Sequence, residues 1–221
     1  MMIPEIVREV RARIGSHEVE PIRYAMMSCY LLAARVSEVV GVASPSDNTT
    51  PYGPRGEDVA EQFYSLPGSQ TAEPVAVFRL KTAKRKGMER FVALPLNERY
   101  EPWGKELLAY FKTKGNELVF PFTRQTLGSY AAKALDGLEY DIASQNINGV
   151  HVEAHKRDAS NHFLRHIRAS ELSYYYGFRA EDLATYCGWT IQNAGMTDVM
   201  ARYLHLSWQS YFPKLLIPRP P

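Results

Sequence analysis

The chain has 221 residues, 45% of them hydrophobic and 12% aromatic, enough for one substantial core or two small ones. Its 26 Lys and Arg against 24 Asp and Glu give a net charge of +2, too small to identify a polyanionic partner, so that question rests on local clusters. No segment approaches the ~18 apolar residues of a membrane span and the N-terminus lacks the apolar region of a signal peptide, so no membrane partner is expected and the cytoplasm is the expected compartment. The only cysteines, Cys29 and Cys187, sit in apolar or aromatic surroundings without metal-ligand spacing, and are expected as reduced, partly buried thiols.

In chain order, "IPEIVREVRARIG" places Ile3, Ile6, Val7, Val10 and Ile14 on one helical face ending at Gly15. A more apolar helix is predicted from about Pro21 through "PIRYAMMSCYLLAARVSEVVGV". Residues 42–72, rich in Pro, Ser and Gly, read as loop with one helical turn near 57–64. "PVAVFRLKT" and "ERFVALPL" read as two strands joined by a hairpin turn in "AKRKGM". Helices are predicted near 101–114 and 124–135, around a short "ELVFPF", followed by a polar stretch over about 136–154. Further helices are predicted near 156–175, 179–187 and 195–205, before a tail ending "PRPP". The sum is a mainly α chain with a small antiparallel β-sheet, an α+β class.

Several clusters stand out. "NHFLRHIRASEL" carries His162 and Arg165 at i and i+3, a spacing that lets both donate to one anion, because the guanidinium fork matches phosphate oxygens. A solvated basic helix face would carry the same residues. The hairpin holds Arg79, Lys81, Lys84, Arg85, Lys86 and Arg90 against one acid, Glu89, as a phosphate-neutralising finger or a lysine-protected sheet edge would. "LLAARVSEVVGV" sets Arg35 at an apolar helix end with Glu38 three residues on, either as a structural ion pair or with Glu38 orienting Arg35 toward an anion. "CGW" and "ARYLHL" contribute Trp189, Tyr203 and His205, each an ordinary core residue when taken alone. His151 and His155 have an i, i+4 spacing but lack a further ligand, so no metal site is expected.

In their order along the chain, "ARVSEVVGV", "KTAKRKGMERFVALPL", "HFLRHIRASEL", "CGW" and "ARYLHL" resemble the successive boxes of the tyrosine recombinase (phage integrase) catalytic domain, over about residues 20–212. The resemblance implies that family's catalytic-domain fold and a DNA strand-cleaving and rejoining enzyme, acting in site-specific recombination or DNA integration through a 3′-phosphotyrosyl intermediate. It implies Tyr203 as nucleophile, Arg35 and Arg165 as the phosphate clamp, His162 beside them, Trp189 at the His/Trp position and Glu38 supporting Arg35. Lys84 is the preferred general acid, with Lys81 as the alternative. Arg79, Arg85, Lys86, Arg90 and Arg168 are expected on DNA, and His166 as a structural histidine. No metal or nucleotide cofactor is implied.

Trp189 and Tyr203 lie 14 positions apart, more than is usual for the family, so an insertion is expected near 190–197, with Tyr186 and Tyr211 as competing nucleophiles. About 20 residues precede the Arg35 helix, so a single catalytic domain over 1–221 is expected, with no separate N-terminal DNA-clamping domain in this chain. The implied partners are double-stranded DNA and further copies of the chain, as a tetramer. The tail, 206–221, has enough apolar surface to dock on a neighbouring subunit or to fold back on its own core. Type IB topoisomerase-like relaxation and a catalytically silent DNA-binding relative are the alternative readings.

Overall fold

The structure is a computed structural model that describes residues 2–43, 52–66, 68, 70–81, 89–142, 145–147, 150–153, 155–189 and 207–218. The expected hairpin tip with Lys84, Arg85 and Lys86, the insertion near 190–197, the helix near 195–205, Tyr203 and His205 lie outside the described residues.

Helix α1 (Ile3–Gly15) buries Ile6, Val7, Val10 and Ile14, the face its spacing predicts, against α2 and α6. α2 (Glu20–Leu31) is buried along nearly all of its length, as its apolar sequence requires. It does not continue through Val42. The helix ends at Leu31, residues 32–35 form a connection, and α3 (Val36–Val39) restarts as a single turn. Ala33 in that connection has φ 44°, a left-handed conformation uncommon for a residue with a Cβ. The expected single helix is thus broken immediately before Arg35.

Strands β1 (Val59–Ser65), β2 (Ala72–Lys81) and β3 (Glu89–Pro95) form an antiparallel sheet in that order. β1 is an addition to the predicted hairpin. It is an edge strand whose Glu61, Gln62 and Phe63 face solvent, so its sequence lacks the alternation that marks a half-buried strand. Register in the hairpin sets Leu80 opposite Arg90 and Arg79 opposite Phe91. Period-2 alternation then puts Arg90 on the same face as the buried Val92 and Leu94. α4 (Gly104–Lys112) covers the sheet, with Phe111 edge-on to Phe78 at 5.0 Å between ring centroids.

α5 (Arg124–Ala134) packs on α2 and α6. The polar stretch over about 136–154 and the residues just after it hold short paired strands: β4 (Glu139–Ile142) with β7 (His155–Asp158), and β5 (Gln145–Ile147) with β6 (Val150–Val152). His151 and His155 therefore stand on two different strands and not on one helix.

α6 (Asn161–Tyr176) starts five residues later than predicted, because 156–158 belong to β7, and it runs through the centre of the molecule against α1 and α2. α7 (Ala180–Cys187) ends at Gly188 in the left-handed conformation, φ 66°. α8 (Trp208–Leu215) folds back on its own chain, burying Trp208, Tyr211, Phe212 and Leu215 against β3 and α7. The chain is α+β with a small antiparallel sheet. Among the described residues no helix is long and apolar enough to cross a membrane.

Candidate active site

A cleft of about 600 Å³ opens where the starts of α3, α5 and α6 meet. Its walls are Arg35, Val36 and Ser37 from one side, Arg124, Gln125 and Gly128 from the second, and Ser160, Asn161 and His162 from the third. Arg35 precedes α3, Thr123 caps α5 by accepting from the Thr126 amide, and Ser160 precedes α6. The N-terminal ends of α5 and α6 thus face the same space as two arginines, a setting that favours an anion.

Glu38 organises the cleft from behind. Its carboxylate is fully buried, and Oε1 accepts from Nη1 of Arg35 at 2.8 Å. Oε2 accepts from the Arg35 backbone amide at 3.0 Å and from Nη2 of Arg90 at 3.1 Å, and lies 3.9 Å from Nη1 of Arg165. Burial alone would raise the Glu38 pKa. Arg90, the Arg35 amide and guanidinium, and Arg165 outweigh it and hold the carboxyl below the ordinary glutamate range. One carboxylate thus gathers three arginines, of which Arg35, with 23% of its side chain exposed, reaches the cleft.

Arg165 lies deeper, 2% exposed, and donates to the carbonyls of Ala33 at 2.6 Å and Cys187 at 2.7 Å. Burial, with Arg90 and Arg35 nearby, pulls its pKa down to about 10, which leaves it cationic at neutral pH. Trp189 is half-buried, its ring centroid 5.9 Å from the Arg165 guanidinium carbon. The structure thus brings Arg35, Glu38, Arg165, His162 and Trp189 into one neighbourhood, with Arg35 and His162 on the cleft wall. Lys81 is exposed at the end of β2, across from Glu89.

Several expectations are corrected. Arg168 is not a surface or DNA-backbone residue. It is 1% exposed, its Nη1 is 2.7 Å from Glu171 Oε2 and 3.8 Å from Glu101 Oε2, and its Nη2 donates to the Tyr186 hydroxyl at 3.4 Å. Burial would lower its pKa, but Tyr186, Glu171 and Glu101 raise it well above the ordinary arginine value. Helical spacing accounts for the placement, since Leu164, Arg168 and Leu172 form one i, i+4 row on the buried face. Arg90 is likewise not a DNA contact: it is 7% exposed and points inward with Val92 and Leu94. Arg79 is held sideways by Asp58, with Nε–Oδ1 at 2.8 Å, and lies 3.9 Å from Glu89, so the turn over Gly56–Asp58, just before β1, brings the hairpin a second acid.

His166 is exposed on α6 one turn from His162, the two rings edge-on at 4.4 Å, so it is not a core histidine. Tyr186 and Tyr211 are fully buried and cannot reach a DNA phosphate. Tyr186 donates to the Leu31 carbonyl, and the Tyr211 hydroxyl accepts from the Ala93 amide at 3.0 Å. Burial pushes Tyr186 up to about 12 and Tyr211 higher still. Cys29 and Cys187 are free and buried, and burial pushes Cys29 up to about 12.

The sequence reading did not single out Arg124, Gln125, Ser160 or Asn161. The helix-start pattern "TRQT" is the signal that would have placed Arg124 at an exposed N-terminal turn. Among the described residues no group of three or more His, Cys, Asp or Glu side chains is placed to hold a metal. No protein-family model, no curated protein and no solved structure matches this chain.

Proposed function

We propose that this protein cleaves and rejoins DNA strands as a tyrosine recombinase, or integrase, through a 3′-phosphotyrosyl intermediate. The observation that carries the reading is the arrangement around Glu38. A buried carboxylate aims Arg35 into a cleft shared with His162, with Arg165 and Trp189 directly behind. Arg35 and His162 on the cleft wall supply fixed donors for the charge that develops on non-bridging phosphate oxygens, where loss of one donor costs about 3 kcal/mol of barrier.

In this reading the Tyr203 oxygen attacks the scissile phosphorus, a P–O bond to tyrosine forms, and the bond to the 5′ oxygen breaks. The phenol proton passes toward His162, and a hairpin lysine, Lys84 or else Lys81, protonates the departing 5′ oxygen. Attack by a 5′ hydroxyl of the same or a second duplex reverses the step and keeps the energy of the phosphodiester. Exchange between two duplexes breaks four strands, and four copies of the chain supply the four tyrosines.

The test is incubation with a nicked suicide duplex, whose cleavage releases a short fragment and so traps the adduct. Wild type should accumulate a covalent protein–DNA species, and Tyr203→Phe should bind the duplex without forming it. No adduct from wild type would refute the proposal, and adduct from Tyr203→Phe would move the nucleophile elsewhere. Comparing supercoil relaxation with two-site exchange then separates recombination from topoisomerase activity.

A further inference from the structure

Arg90 connects three parts of the chain that are distant in sequence. Its Nη1 donates to the Tyr186 carbonyl at the end of α7. Its Nη2 is shared among the carbonyls of Leu32 at 3.1 Å and Ala33 at 3.2 Å and the Glu38 carboxylate at 3.1 Å. Arg165 makes parallel connections, to Ala33 and Cys187. These carbonyls belong to two segments: the connection that delivers Arg35, and the turn that delivers Trp189.

Both segments need holding. Ala33 is left-handed without being glycine, a conformation that persists only where its surroundings enforce it, and its carbonyl accepts from both guanidinium groups. The turn at Gly188 is built around the Arg90 stem, since a Cβ there would stand 2.6 Å from Arg90 Cδ. A guanidinium in a fixed plane can bridge acceptors on several sides, whereas an ammonium is a point charge on a flexible stem.

We infer that Arg90 is a positioning residue, which locks the 32–35 connection, Glu38 and the Gly188–Trp189 turn into one arrangement and so holds Arg35 ready at the cleft. This rests on the strand-cleaving reading of the same site. Arg90 itself stays out of the cleft and touches no substrate.

The test measures single-turnover adduct formation, duplex affinity, the thermal midpoint and amide hydrogen exchange for wild type, Arg90→Lys and Arg90→Gln. Folded Arg90→Lys should lose about 100-fold in rate at saturating DNA while its Kd changes by less than about twofold, as misplacement of a catalytic group without loss of binding predicts. Exchange should accelerate over residues 33–38 and 187–189 and stay unchanged in α1 and α4. A wild-type rate, or a loss confined to DNA affinity, overturns the inference. If wild type forms no adduct, the strand-cleaving reading falls and exchange alone decides: unchanged protection over 33–38 overturns the positioning role, and local acceleration keeps it. Should the lysine variant fail to fold, Arg90→Gln is measured in its place by the same criteria.

Discussion

Arg35 and Glu38 are joined twice. The Arg35 backbone amide donates to one carboxylate oxygen at 3.0 Å and its guanidinium to the other at 2.8 Å. The first bond closes the turn of α3, and the second fixes the direction of the side chain. One buried acid therefore shapes the backbone at Arg35 and aims its charge, which is why a helix of a single turn suffices to present it.

Glu38→Gln should accordingly destabilise the fold by about 3 kcal/mol at pH 7, because it leaves Arg90 and Arg165 buried beside a neutral amide. The groups facing this carboxyl are Arg35, Arg90 and Arg165, with the Cys29 and Cys187 thiols nearby. Its folded-state pKa is depressed, so the stabilisation is complete above the unfolded value of about 4.3 and is lost as pH falls through the lower folded value. Urea denaturation at neutral and acid pH should show the gap between variant and wild type narrowing toward acid. A gap independent of pH would contradict the depressed pKa.

Arg168 joins α6 to the rest of the core through Glu171, which also accepts from the Tyr30 hydroxyl at 2.6 Å, and through Glu101, which holds Arg11 at 2.7 Å. Arg168→Ala should cost about 3–5 kcal/mol in urea denaturation, the scale for stranding a buried charge partner. It should leave the salt dependence of duplex binding unchanged, whereas neutralising Arg85 and Lys86 should flatten that dependence. A lowered salt slope in Arg168→Ala would return this residue to the DNA surface.

How much of this the sequence carried depends on where each partner lies. The pairing of Arg35 with Glu38 is local and legible at i, i+3, as is the amphipathic face of α1. The break of α2 at Leu31 is not. It is held by Arg90 and Arg165, which approach from 57 and 132 positions beyond Ala33, and no local window contains them. The inward direction of Arg90 and Arg168 was legible in principle, since strand alternation and the i, i+4 row of α6 each put them in phase with leucines. Counting them as surface cations let residue type override periodicity. The edge strand β1 had no such signal, because Phe63 faces solvent and Glu61 and Gln62 before it are polar and exposed.

Tyr186→Phe and Tyr211→Phe should each keep full adduct formation while losing about 1–3 kcal/mol of stability, because each removes a hydroxyl from a buried partner. The partners are the Leu31 carbonyl and Arg168 for Tyr186, and the Ala93 amide and Phe91 carbonyl for Tyr211. The measurement pairs denaturation with the suicide-duplex assay. Loss of adduct in a folded Tyr186→Phe or Tyr211→Phe protein would reopen the choice of nucleophile.

The choice between Lys84 and Lys81 turns on which variant needs help with the leaving group. A general acid contributes about 10²–10⁴-fold by protonating the departing 5′ oxygen. A bridging sulfur at that position leaves as a thiolate and needs no proton. The variant that removes the acid should therefore be slow on the ordinary duplex and near wild type on the 5′-phosphorothiolate duplex, while the other lysine variant shows the same small change on both. Lys84, six positions before Arg90, has the spacing the resemblance favours, while Lys81 stands exposed at the end of β2 in register with Glu89. Lys84→Ala is thus the variant expected to recover on sulfur. Recovery by Lys81→Ala instead would assign the proton to the strand end.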